Sequence, residues 1–233
     1  MTAMRHKSII LKPHEVVGIL AERQTQIRRI LKPQPPEEVG RIEAGDYFTT
    51  KTDRYGCEEP GPLTFGVYSS DGLWTAKLPF ERGDVVFGKE TWAIRDLMAS
   101  DSGWKAQIAL GELWLYQGKP QPTMSESVIY AASCDFNTKW RSSIHMPQWA
   151  ARIWLRIGEV KVQRAQDAQA ADCYAEGALR PEQPCIGSVK VGYDNAMDWL
   201  RSLWNSNYGP DAWGRNDWTV VYRIEAVERP EGA

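Results

Sequence analysis

A chain of 233 residues with 42% hydrophobic and 25% charged positions can bury a sizeable core, which excludes global disorder. A formal net charge of −2 excludes a broad cationic coat for nucleic acid, so any such contact must be local. Apolar runs such as Val16–Leu20 are far too short for a membrane span, and the opening MTAMRHKSIILKPHE lacks the apolar core of a secretion signal. A cytoplasmic protein with no membrane partner is expected. Cys57, Cys134, Cys173 and Cys185 form no CxxC pair, which points to reduced thiols rather than a structural zinc site or a disulfide framework. His6, His14 and His145 have no metal-ligand spacing, so neither a metal nor a cofactor is expected. Tryptophan is abundant, at 11 residues; each indole serves either the core or, less often, as a stacking surface.

In chain order, Ser8–Leu11 reads as a short strand, and Lys12-Pro13 opens a helix with proline in the first turn. Thr25–Leu31 reads as a strand, closed by Pro33, Pro35 and Pro36. Residues 37–78, with clustered Gly, Pro, Asp and Ser, read as an insertion of loops and brief hairpins. Arg82-Gly83-Asp84 is a turn, and Val85-Val86-Phe87 starts a buried strand toward Glu90-Thr91-Trp92. A second variable stretch covers residues 93–124, and Ser127–Ala132 is another strand. Ala151–Arg164 alternates clearly, with a phase change at Gly158 that a bulge or bend would produce. Asp167 can cap a short helix ending at Glu176, with Gly177 after it; Asn195–Tyr208 has the apolar spacing of a helix. Trp218–Val227 is the closing strand. This order predicts a single, mostly β (α+β) domain over residues 1–233: a small closed or half-closed barrel with covering helices.

The segment Ile19-Leu20-Ala21-Glu22-Arg23-Gln24-Thr25-Gln26-Ile27-Arg28-Arg29, followed by Leu31-Lys32-Pro33, resembles the signature of the ASCH domain of the PUA-like superfamily, in its phage and prophage members. Three further blocks are similar and occur in the family's order: Gly83-Asp84 through Trp92, Lys139 through Pro147, and Asp167 through Gly177. The resemblance implies a PUA-like β-barrel whose cleft binds nucleic acid or a modified nucleoside. Some members of the family are amidohydrolases acting on acetylated cytidine. There, a signature Lys acts as base on a signature Thr, assisted by a Glu on the later short helix. The matching positions here are Gln24, Ile27 and Glu176, with Arg29 at the family's Arg. A threonine hydroxyl needs an activating base. Gln24 is no base and Ile27 no nucleophile, so the resemblance implies that acetylcytidine hydrolysis is lost. Thr25, shifted by about 7 Å along a strand, is a poor substitute.

Several residues carry a functional reading beside a bland one. Arg23, Arg28 and Arg29 form the densest basic spot, able to grip a phosphate or a base edge, or to serve in ordinary ion pairs. Glu176 ends a helix, where acid is mildly unfavourable, which hints at another role. His145 follows Lys139-Trp140-Arg141 in a polar loop and reads as a candidate acid or base, or as a loop anchor. Trp140 and Trp92 are candidate stacking surfaces, Trp149 a packing residue, and Lys139 and Arg152 sources of positive field. Glu90 ends a buried strand and needs a partner, with Arg29 one choice. Three functions follow as expectations. The first is binding of single-stranded RNA or DNA, a nucleotide or a nucleoside, with Gln24, Thr25, Ile27, Arg28 and Arg29 in the cleft. The second is a hydrolase using Glu176 and His145, and the third a phage protein that binds a host protein.

Overall fold

The computed structural model describes residues 6–35, 45–52, 54–69, 72–94, 115–116, 119–120, 128–133, 139–179 and 195–233. Its elements, in chain order, are β1 (Lys7–Ile10), α1 (Pro13–Leu20), β2 (Gln26–Ile30), β3 (Gly45–Thr52), β4 (Glu58–Ser69), β5 (Gly72–Lys77), β6 (Val85–Lys89), β7 (Trp92–Ile94), β8 (Leu115–Tyr116), β9 (Lys119–Pro120), β10 (Val128–Tyr130), β11 (Trp154–Arg164), α2 (Ala170–Ala175), α3 (Ala196–Tyr208) and β12 (Trp218–Val227). The principal sheet has the order β1-β6-β11-β12-β2. It is mixed, parallel between β1 and β6 and antiparallel between β12 and β2. A mostly β (α+β) fold with a small closed or half-closed barrel was expected; the β-rich α+β architecture is present, and this sheet is not closed. Closure requires the two edge strands to pair with a fixed stagger, whereas among the described residues β1 pairs only with β6 and β2 only with β12.

The chain forms two compact units, Met1–Leu20 with Val85–Leu155 and Ala226–Ala233, and Ala21–Asp84 with Arg156–Glu225. In the first, α1 begins at Pro13 and the Glu15 carboxylate accepts a hydrogen bond from the Lys12 amide at 2.8 Å, satisfying a donor at the helix start. The helix buries Val16 and Ile19 and exposes Val17 and Leu20. A core of Phe87, Trp92, Val128, Met146, Ala150, Ala151 and Trp154 closes this unit, with Tyr130 and Trp149 packed at its edge. Gly88 sits where a side chain cannot. A Cβ there would lie 2.5 Å from Leu11 Cδ1 and 3.2 Å from Ile153 Cβ. Gly88→Ala is therefore expected to overpack this face and cost about 1–3 kcal/mol in urea unfolding; an unchanged midpoint would show that Leu11 moves aside freely.

In the second unit the stretch read as loops with brief hairpins is an antiparallel three-stranded meander, β3-β4-β5, with a register shift between Phe48 and Thr50. β11 passes from the first unit into the second: Ile153 just before it and Leu155 and Ile157 within it are buried, and beyond Gly158 the half-buried positions include Val160 and Val162, the expected change of phase. The strand runs on without interruption to Arg164. At the start of the strand, in the first unit, Trp154 on the side opposite Leu155 is buried too, packed in the cluster of Phe87, Met146 and Ala150. The Asn195 side chain caps α3 by accepting from the Asp198 amide at 2.9 Å. Leu200 packs with Cys173 and Ala178 beside α2, and Trp204 packs with Ala165 and Ala212.

Candidate functional site

The polar centre of the second unit is built where β2 meets the end of α2. The chain enters β2 through Glu22, a non-glycine residue at φ 55°, and is pinned by the Thr25 amide donating to Ala175 O at 2.9 Å. Successive side chains of a strand alternate in direction. Gln26 and Arg28 therefore share one side, and both donate to Glu176 Oε1, from Arg28 Nε at 2.8 Å and Gln26 Nε2 at 3.0 Å. Gln26 Nε2 also reaches Asp172 Oδ1 at 3.3 Å, and Arg28 Nη1 lies 3.4 Å from Thr219 Oγ1, whose hydroxyl donates to Gln163 O at 2.8 Å. Both charged side chains are almost fully covered, Arg28 at 1% and Glu176 at 6% exposure. Burial pushes the Glu176 carboxyl above the usual carboxylate range, with Arg28 and the Gln26 hydrogen bond pulling the other way. Burial, and then the Glu176 charge, push the neighbouring Cys173 thiol up to about 12, so it is not a reactive thiolate.

Two glutamines and a glycine tighten this centre. Gln24 is buried and its Nε2 donates to Gln26 O at 2.9 Å. Its Oε1 stands 3.2 Å from where a Cβ on Gly177 would lie, and Gly177, at φ 101°, has the backbone form that favours glycine. Gln24 Oε1, Arg23 Nε and Arg28 Nη2 are buried with no hydrogen-bond partner among the described residues. Beside them opens a cavity of about 670 Å³ lined by Glu22, Arg23, Thr25, Ala171, Tyr174, Ala175 and Ala178. Arg23 Nη1 is anchored on Gly177 O at 3.2 Å, which fixes one end of that cation at the cavity wall.

The expected set of Gln24, Ile27, Arg29 and Glu176 is thus only half assembled. Glu176 and Gln24 are in place, but the arginine on Glu176 is Arg28, one position before Arg29. Ile27 and Arg29 occupy the other side of β2, opposite Tyr222 and Val220 in the ladder, and Ile27 is a fully buried core residue. Arg29 Nη1 donates to Arg28 O at 3.0 Å, and its charge lies near the buried Tyr222 phenol, whose pKa burial drives far up. Thr25 is exposed and lines the cavity. Gln26, Asp172, Tyr174 and Thr219 escaped the sequence reading. The alternation of Ile27 against Gln26 and Arg28 was the signal that could have found the first of them.

The remaining candidates belong to the first unit. Glu90 pairs with Arg152 and not with Arg29: its carboxylate takes both Arg152 Nε at 2.8 Å and Nη2 at 2.9 Å. The guanidinium lies 4.0 Å over the Tyr130 ring, and Tyr130 donates to Ala150 O at 2.7 Å. Burial, only partly opposed by Arg152, raises that phenol to about 12. Arg152 thus holds a side-chain network together instead of standing as a free positive field. Trp92 is a core residue, set edge-on to Trp149, with Arg141 5.2 Å from its ring. Lys139 and His145 are exposed and Trp140 is half-buried, on a loop whose turns span Ser143–His145 and Gln148–Ala150. Among the described residues no group of His, Cys, Asp and Glu could hold a metal ion, and no helix is long and apolar enough to cross a membrane. The chain matches no protein-family model, and neither a curated protein nor a solved structure is significantly similar to it.

Proposed function

We propose that this chain is a binding module for a nucleotide or a modified nucleobase, taken up in the cavity beside β2 and α2. The observation that carries the reading is the lining of that cavity. One half-buried cation, Arg23, one aromatic ring, Tyr174, and one hydroxyl, Thr25, line it with the methyl groups of Ala171, Ala175 and Ala178, and the exposed Glu22 stands at its edge as an acceptor for ligand N–H or O–H groups. Its volume suits a small ligand, and these are the groups that grip a phosphate, stack a base and fix an orientation. Arg28 and Glu176 do not line the cavity; their ion pair stiffens the two elements that carry it. The likeness of the signature around Arg23 to ASCH domains supports the same ligand class. Binding is favoured over hydrolysis because the Glu176 carboxylate is engaged by two donors and Gln24 supplies no base for Thr25.

The test is calorimetric titration of the purified chain with nucleoside monophosphates and the corresponding nucleosides. Arg23→Ala is expected to weaken the monophosphate by about 1.5–3 kcal/mol and the nucleoside much less. Tyr174→Ala should weaken both by about 1–3 kcal/mol. Absence of heat with every nucleotide and nucleoside at millimolar concentration would refute the reading and promote the protein-binding alternative.

A further inference from the structure

The first unit carries a cationic loop that the cavity reading does not use. From residue 136 to residue 158 the chain holds Lys139, Arg141, Arg152 and Arg156 and no Asp or Glu, within a protein of net charge −2. Arg152 is engaged by Glu90, and Arg156 lies 3.7 Å from Glu225. Lys139, Arg141 and His145 are exposed, and no described carboxylate pairs with them. The loop is exposed yet held at many points. Arg141 and Trp92 exchange backbone hydrogen bonds at 2.8 and 3.3 Å, and Lys89 Nζ donates to Ile144 O at 3.0 Å. The Glu90 amide lies 3.3 Å from Met146 Sδ, and the Ser142 hydroxyl caps the turn through the Ile144 amide. That capped turn holds Ile144 out at 62% exposure, among the cations.

We propose that the Lys139–His145 loop is a contact surface for single-stranded nucleic acid. Lys139, Arg141 and Lys89 would neutralise neighbouring phosphates, and Trp140 and Ile144 would offer apolar surface to a base. An indole between two cations in sequence suits a chain that alternates phosphate and base. A loop already fixed in place loses little entropy on binding. This surface is independent of the nucleotide cavity, and the two readings can fail separately.

The experiment is fluorescence anisotropy of the full chain with short labelled oligouridine and oligothymidine strands over a range of salt. Three phosphate contacts on a single strand give a slope of log affinity against log salt of about −2. Lys139→Gln and Arg141→Gln should each flatten it by about 0.7. Trp140→Ala should weaken binding by about five- to 150-fold and leave the slope unchanged, because stacking releases few counterions. Ile144→Glu, at an exposed position that does not threaten the fold, should weaken binding by at least about tenfold through like-charge repulsion. Nucleoside monophosphate titrations of the same variants should stay at the wild-type affinity. Oligonucleotide binding that is absent at low salt, or untouched by these four substitutions, would overturn the proposal. So would equal binding of polyglutamate or of anionic phosphatidylserine vesicles, which would make the loop a charge-blind surface.

Discussion

Glu176→Ala is expected to destabilise the fold by about 3–5 kcal/mol, a large share of the roughly 5–15 kcal/mol that holds a domain folded. The reason is Arg28. Its side chain is 1% exposed, and its Nε bond to Glu176 is its shortest described interaction. Removing the carboxylate leaves a buried guanidinium without a counter-charge, and Gln26 loses the nearer of its two acceptors, keeping only Asp172. The double variant Arg28→Met with Glu176→Leu should recover much of the loss, since replacing both partners removes the desolvation cost along with the attraction. The pH dependence has a definite sign. Burial sets the folded carboxyl above its ordinary value of 4.5. The unfolded state therefore binds fewer protons, and stability falls as pH rises from that ordinary value through the folded one. Glu176→Gln should lose this component while retaining an acceptor for Gln26. Urea unfolding across this range measures both effects. A Glu176→Ala variant within about 0.5 kcal/mol of wild type would mean that water reaches the pair.

Arg152→Ala is expected to cost about 2–4 kcal/mol, somewhat less because Arg152 is one-quarter exposed. Glu90, at 3%, would be left buried without either of its two donors. The Tyr130 ring would lose the guanidinium stacked on it. Arg152→Lys should rescue little, because a single ammonium reproduces neither the two-pronged hydrogen bond nor the planar stack. Rescue to wild-type stability by lysine would reduce the site to a simple charge pair. Arg152→Ala should also loosen the fixed 139–152 loop, detectable as faster amide exchange at Arg141, whose amide ties the loop to Trp92 O, and at Met146, whose amide is bonded within it to Ser143 O.

Much of the main chain was legible because its signals are local. The closing strand Trp218–Val227 and the helix capped by Asn195 follow directly from alternation and from an asparagine before an apolar spacing of three and four. The meander between residues 45 and 77 was less legible, since Gly, Pro, Asp and Ser there suggest turns even where β4 runs from Glu58 to Ser69. Two consequences lay beyond local pattern. Whether the sheet closes depends on which edges meet, and no single strand encodes that. The polar centre depends on a phase: a shift of one residue exchanges the two sides of a strand. Aligning a signature by its arginine put Arg29 in the cleft, whereas Ile27 belongs to the core and so sends Arg28 to Glu176. Glu90 was likewise read with Arg29 as one choice of partner, and only tertiary structure brings Arg152 to it.

The ladder between β2 and β12 has a consequence in time. Arg28 and Thr219, joined across it, stand 191 residues apart. During synthesis, β2 has no ladder partner among the described residues until β12 leaves the ribosome, and the first unit likewise awaits its Ala226–Ala233 segment. Folding of the principal sheet is therefore dominated by long-range closure, which places refolding in the millisecond-to-second class of high contact order rather than among microsecond folders. Through that interval Ile27 and Ile30 stand on a strand without its β12 partner, an edge open to pairing with another chain that Arg28 and Arg29 partly guard.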